Sequence, residues 1–121
     1  MADKSHYHFI GVCGTAMGAV ASAMQQRGIK VTGSDERVYP PMSTFLENSG
    51  VEISEGYRAS NVPESADVIV IGNTISRGNE EAEAVLDRRV LYQSLPEVLK
   101  EQFLRGKHLN VYTLCIHAVS Y

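Results

Sequence analysis

His8-Phe9-Ile10-Gly11-Val12-Cys13-Gly14-Thr15-Ala16-Met17-Gly18 decides the fold. It reads as a buried strand, a tight glycine turn and the first turn of a helix. A helix start presents backbone N–H groups without acceptors and a partial positive charge. A glycine turn feeding such a start is a candidate anion site. The rest of the chain lies around it as further strand–helix units.

Residues Tyr7 to Val12 form the first strand, a short apolar run suited to a parallel sheet. Thr15 to Arg27 is helical, with Met17, Val20, Ala21 and Met24 on the buried face and Gly28 closing it. Ile29 to Thr32 is the second strand, ended by a Gly33-Ser34-Asp35 turn. The unit has the length of a right-handed βαβ crossover, about 30 residues. Pro40-Pro41-Met42-Ser43-Thr44 opens a second helix, with Phe45 and Leu46 toward the sheet and Asn48-Ser49-Gly50 as its stop. Val51 to Ile53 is a third strand, and Gly56 to Ser65 a loop or short helix. Ala66 to Gly72 is the clearest strand, β-branched and without alternation, as two-sided burial requires. After the loop 73–79, Glu80 to Arg88 is helical, acidic early and basic late. Val90 to Tyr92 is a fifth strand, and Ser94-Leu95-Pro96-Glu97 is a capping-box pattern opening a last helix to about Arg105.

Alternating strands and helices predict an α/β, Rossmann-like three-layer domain with a mainly parallel five-stranded sheet. Ligands of such sheets sit beyond the carboxyl ends of the strands. That singles out loops 11–18, 33–37 and 72–79.

The 121 residues suit one domain, and a 44% hydrophobic content supplies its core. A net charge of -3 argues against nonspecific nucleic-acid binding. No apolar run approaches the ~20 residues that span a bilayer, so no membrane partner is expected. Cys13 and Cys115 form neither a disulfide framework nor a metal pair, and a cytoplasmic setting is expected. His6, His8, His108 and His117 lack metal-ligand spacing, and no acid–base pair stands out. Neither a metal ligand nor a catalytic residue is therefore assigned.

The glycine turn reads G-x-x-G-x-x-x-G, with Cys13 and Ala16 where a dinucleotide fingerprint wants glycine. A side chain at the middle position keeps a pyrophosphate from the backbone and disfavours ordinary NAD binding. The bland alternative is a turn that only packs a helix on a sheet. Asp35 ends the second strand, where an acid accepts from ribose hydroxyls or a base edge, or simply holds a turn, and Ser34 could do either. Asn73, Thr74, Ser76, Arg77 and Asn79 form a polar loop suited to sugar and phosphate contacts, or only to solvent. Cys13 is read as a small turn residue rather than a nucleophile.

Together, HFIGVCGTAMG, VTGSD, VYPPMSTFLE and IGNTISRGNEEAEAVL resemble the N-terminal domain of the Mur ligases over about residues 6 to 108. Within that family the resemblance is to the murein peptide ligases of peptidoglycan recycling. The related L-alanine-adding branch usually has glycine where Cys13 and Ala16 stand. The resemblance implies a domain, residues 1–108, that binds UDP-N-acetylmuramate. Gly11, Cys13, Gly14, Thr15, Ala16, Met17 and Gly18 would wrap the diphosphate, with N–H groups of Gly14 to Met17 as donors. Ser34, Asp35, Asn73, Thr74, Ser76 and Arg77 would lie along the uridine or sugar.

The family's full enzymes use ATP and Mg²⁺ to join L-Ala-γ-D-Glu-meso-diaminopimelate to that sugar nucleotide. Their chemistry needs a G-x-x-G-K-T loop, which these 121 residues lack. The expectation is nucleotide-sugar binding without turnover and with no cofactor of its own; the peptide substrate is met only in the full enzyme. Residues 109–121 do not match the family, and their β-branched and aromatic content suits an extra strand or self-association. The competing reading is an NAD(P)-binding Rossmann oxidoreductase or redox sensor; a third is a fragment whose site is incomplete alone.

Overall fold

The computed structural model describes residues 6–72, 75 and 78–101. Strands β1 (His6–Ile10), β2 (Lys30–Asp35), β3 (Glu52–Glu55), β4 (Val68–Ile71) and β5 (Tyr92–Ser94) form one sheet in the order β3-β2-β1-β4-β5. All four pairings are parallel. Helices α1 (Thr15–Gln26), α2 (Met42–Ser49), α3 (Glu80–Arg88) and α4 (Leu95–Leu99) pack on its faces, and a 3-10 turn spans Ala59–Asn61. This is the expected Rossmann-like architecture, with β1 at its centre.

The two faces of β1 differ because successive strand side chains point oppositely. Tyr7 and Phe9 enter an apolar cluster with Met17, Val20, Ala21 and Met24 of α1, Leu46 of α2 and Leu95, Val98 and Leu99 of α4. On the opposite face Ile10 joins Ile69, Val62 and Val85 of α3. His6 and His8 share that face and are buried. Their strand neighbours Thr32 and Ser34 lie on β2, paired with His8 and Ile10.

β2 runs on through Gly33, Ser34 and Asp35, which were expected to be a turn. Gly33 serves close approach instead: a Cβ there would stand 2.6 Å from the Cβ of Val12. The chain leaving β1 thus crosses directly over β2. Phe45, expected to face the sheet, is exposed, and Leu46 alone takes that place. β3 and β5 start later than expected because the residues before them close the preceding helices. The N–H of Val51 donates to Leu46 O at 3.0 Å, and that of Val90 to Val85 O at 3.3 Å. These are the six-to-one bonds of a Schellman exit. The expected reach of α4 to Arg105 and the extra C-terminal strand lie outside the described residues.

At the exit of α3 the left-handed position is held by Arg89, at φ 56. An exposed L residue is strained there, whereas glycine is not. Arg89→Gly is expected to stabilise the chain by about 1 kcal/mol, read as a raised urea midpoint with unchanged slope. Gly33→Ala should cost about 1–3 kcal/mol by overpacking against Val12, read in the same experiment.

Candidate functional site

The carboxyl ends of β1, β2 and β4 converge. Gly11, at φ 90, turns the chain out of β1. The N–H groups of Gly11 and Val12 both donate to Ser34 O, at 2.8 and 3.0 Å. The Cys13 N–H donates to Asp35 Oδ2 at 2.9 Å, and the Gly14 N–H to Gly11 O at 3.2 Å. The turn is therefore stitched to the end of β2 before α1 begins.

Gly14 is the N-cap of α1 and supplies no side-chain cap. The first N–H groups of the helix, from Thr15, Ala16 and Met17, have no intrahelical acceptor. Gly14 and Thr15 are exposed, while Met17 is buried in the core. The start of α3 differs. Asn79 Oδ1 accepts from the N–H groups of Glu81 and Ala82, at 3.0 and 3.1 Å. Of these two helix starts, α3 is closed by its own side chain and α1 is open.

The residues expected at the site divide accordingly. Gly14 and Cys13 belong to it, but their N–H groups are engaged inside the turn. The Gly18 N–H bonds Gly14 O at 2.7 Å, so this residue belongs to the helix ladder. A Cβ on Gly18 would stand 2.6 Å from Met42 Sδ, which makes it a packing position between α1 and α2. Ser34 is fully buried and its hydroxyl donates to Glu81 Oε1 at 2.8 Å, so the side chain points into the protein rather than toward a nucleoside. Asp35 stands at the junction of the loops, with its carboxylate on Cys13. Asn73, Thr74, Ser76 and Arg77 lie outside the described residues.

Burial, then the Asp35 carboxylate, pushes the Cys13 thiol up to about 11, so it is held as a thiol at neutral pH. Tyr57, not anticipated from sequence, comes within 4.0 Å of a Cβ built on Gly11, and Ile75 within 3.4 Å. Burial, then Asp35, raises the Tyr57 phenol to about 12, so it is neutral.

Beneath the loops lies a polar cluster that sequence reading missed. Glu81, fully buried, accepts four hydrogen bonds. His8 Nε2 and Ser34 Oγ reach Oε1 at 3.0 and 2.8 Å. The Arg58 N–H and Asn61 Nδ2 reach Oε2 at 3.2 and 3.0 Å. His8 Nδ1 lies 2.8 Å from Thr32 Oγ1, which lies 3.1 Å from His6 Nε2, and His6 Nδ1 lies 3.0 Å from Ser65 Oγ. The available signal was alternation: His6 and His8 interleave with Tyr7 and Phe9, which puts both rings on one face. The partner, 73 residues away from His8, left no such signal.

Among the described residues no group of three or more His, Cys, Asp or Glu side chains could hold a metal ion.

A family profile, "Mur ligase family, catalytic domain", matches residues 6–107. The UDP-N-acetylmuramate–L-alanyl-γ-D-glutamyl-meso-2,6-diaminoheptandioate ligase of Escherichia coli is 47% identical over 100 residues, 83% of this chain and 22% of its own length. The enzyme of the same name from Haemophilus influenzae is 45% identical over 102 residues, 84% of this chain and again 22% of its own length. A crystal structure of a murein peptide ligase from Psychrobacter arcticus superposes with a TM-score of 0.82 at 44% identity, covering 86% of this chain and 22% of that one. The chain thus spans about a fifth of the length of these relatives.

The buried cluster has a signature in pH. Burial, then Lys30 and His8, lowers the pKa of His6 below its ordinary 6.5, against the opposing pull of Asp67 and Glu52. For Glu81, burial pushes up, but hydrogen bonds from His8, Asn61 and Ser34 outweigh it and leave the pKa below its ordinary 4.5. In both cases the unfolded chain binds the proton more readily, so stability rises with pH. His6 contributes fully above 6.5 and loses its contribution as pH falls below that value. Glu81 follows below 4.5. Urea midpoints measured from about pH 8 to about pH 2 should fall in those two stages, and the first stage should vanish in His6→Gln.

Proposed function

The chain belongs to the Mur ligase family, and from that premise we propose that residues 1–108 hold UDP-N-acetylmuramate for an ATP-dependent, ADP-forming amide-bond ligase. In that enzyme the tripeptide L-Ala-γ-D-Glu-meso-diaminopimelate is joined to the sugar nucleotide, in the cytoplasm, during peptidoglycan recycling. The observation that carries this reading is the open start of α1. Three N–H groups without intrahelical acceptors stand at the carboxyl end of the central strand, where a diphosphate gains most from helix-end charge. The substrate class is that of the bacterial ligases to which the chain is similar.

Thr15, Ala16 and Met17 would donate to the diphosphate. Asp35 would set the turn through Cys13 and offer its remaining acceptor capacity to the uridine. Asn73, Thr74, Ser76 and Arg77 would lie along the uridine or sugar. ATP and Mg²⁺ have no G-x-x-G-K-T loop among these 121 residues and belong, in this proposal, to the rest of the parent ligase. No step of the ligation is assigned to this chain, which is expected to bind without turnover. Among the described residues no helix is long and apolar enough to cross a membrane. The neutral Cys13 thiol counts against a redox-sensing role.

Calorimetric titration of the 121-residue chain tests the proposal, with UDP-N-acetylmuramate, UDP, NAD⁺ and ATP as parallel ligands. Saturable binding of the UDP-sugar, weaker binding of UDP and none of ATP is the expected result. Binding of NAD⁺ alone, or silence from all four in a folded sample, would overturn it. A Cβ on Gly14 meets nothing closer than 3.5 Å, so Gly14→Val should fold normally. Its side chain would cover the open helix start and weaken the UDP-sugar by about tenfold or more, a loss of ~1.4 kcal/mol.

A further inference from the structure

One carboxylate joins β1, β2 and the 3-10 turn beside the site. Glu81 Oε1 receives His8 of β1, three residues before Gly11, and Ser34 of β2, whose carbonyl holds Gly11 and Val12. Glu81 itself sits two residues after Asn79, where the 72–79 loop enters α3. Its other oxygen receives Arg58 N–H and Asn61 from the 3-10 turn beside Tyr57. From the far end of α3, Arg88 donates to Val62 O and Ala59 O at 3.0 and 3.1 Å, which pins the same turn a second time. Glu81, His8 and Ser34 are themselves buried.

We infer that Glu81 is a positioning residue: its carboxylate sets the spacing of the loops that follow β1 and β2 and fixes the direction of a hydrogen-bond chain through His8, Thr32 and His6 to Ser65. The inference rests on the reading of those loops as a nucleotide site, but its own content is internal to the chain. An ionised carboxylate only accepts, so His8 Nε2 carries the hydrogen. An uncharged His8 ring then accepts at Nδ1 from the Thr32 hydroxyl. Thr32 in turn accepts from His6 Nε2–H, and His6 Nδ1 accepts from Ser65. His8, Thr32 and His6 each donate once and accept once, and every bond points toward Glu81.

Replacing the carboxylate with an amide reverses that direction. In Glu81→Gln the carbonyl must face the Arg58 N–H and Asn61 Nδ2, which can only donate; Asn61 is held in that orientation by Gly56 O at 2.9 Å. The new NH₂ group then faces His8 and Ser34. His8 must accept at Nε2, donate from Nδ1 to Thr32, and so turn Thr32 toward His6 and His6 toward Ser65.

Long-range ¹⁵N spectra of the ligand-free chain at neutral pH read this directly. Both imidazoles are expected as uncharged Nε2–H tautomers in the wild type and as Nδ1–H tautomers in Glu81→Gln. His6 does not touch Glu81, so a role confined to local packing would leave its tautomer unchanged. Amide exchange of Glu81→Ala is the second measurement. Exchange at Cys13 and Arg58 should accelerate by about tenfold or more, with Tyr7 and Val70 unchanged, and Glu81→Gln should restore most of the protection. An imidazolium at His8, an unchanged His6 tautomer in Glu81→Gln, or uniform acceleration across the sheet would each overturn the inference. If Glu81→Ala does not fold, the tautomer measurement decides. Neither measurement uses a nucleotide, so a failed UDP-sugar titration would count against the proposed function alone.

Discussion

A charged group with no exposure to water is the constraint around which this domain is arranged. Glu81 gives up its hydration on folding, a cost of several kcal/mol even after relaxation. Four donors replace that water, and they outweigh the cost, leaving the Glu81 pKa below its ordinary value. The cluster therefore adds uniqueness as well as stability. Its donors come from β1, β2 and the 3-10 turn, while the acceptor sits on α3. Any arrangement that moves one of those elements strands a buried polar group. An apolar filling of the same volume would permit the elements to slide.

The sheet is accordingly asymmetric. Its face toward α1, α2 and α4 is an ordinary close-packed core, built on Tyr7, Phe9, Val31, Val68 and Val70. The face toward α3 has a small apolar cluster next to a line of hydroxyls and imidazoles. Packing density secures the first face, and directional bonds secure the second. The loops that follow β1 and β2 are thereby referenced to α3 across the sheet.

Much of this was legible in the residues. Apolar runs and helix punctuation place β1, α1, β4 and α3 close to their observed limits, because those signals act within a few residues. What was not legible depended on distant partners. Gly33 reads as a turn residue because glycine marks turns more often than close approaches; the reason for it is Val12, which comes alongside only after the chain has folded. Ser34 looked like a ligand group because it precedes Asp35, yet strand alternation points the two oppositely. Glu81 stands between Glu80 and Glu83, and all three suit the first turn of a helix equally well. Nothing local distinguishes the one that is buried. The same holds at the glycine turn, where the motif announced backbone donors but not that Asp35 and Gly11 would occupy two of them.

The carboxylate of Asp35 on the Cys13 N–H has a consequence for selectivity. An open helix end alone carries roughly half a positive charge and welcomes any anion. With a carboxylate fixed beside it, a small, dense anion such as free phosphate gains less from this end than from the helix alone. If the turn seats the proposed sugar nucleotide, the uncharged parts of that ligand can occupy the ground near Asp35, and the shape of the whole molecule then counts for more than its charge.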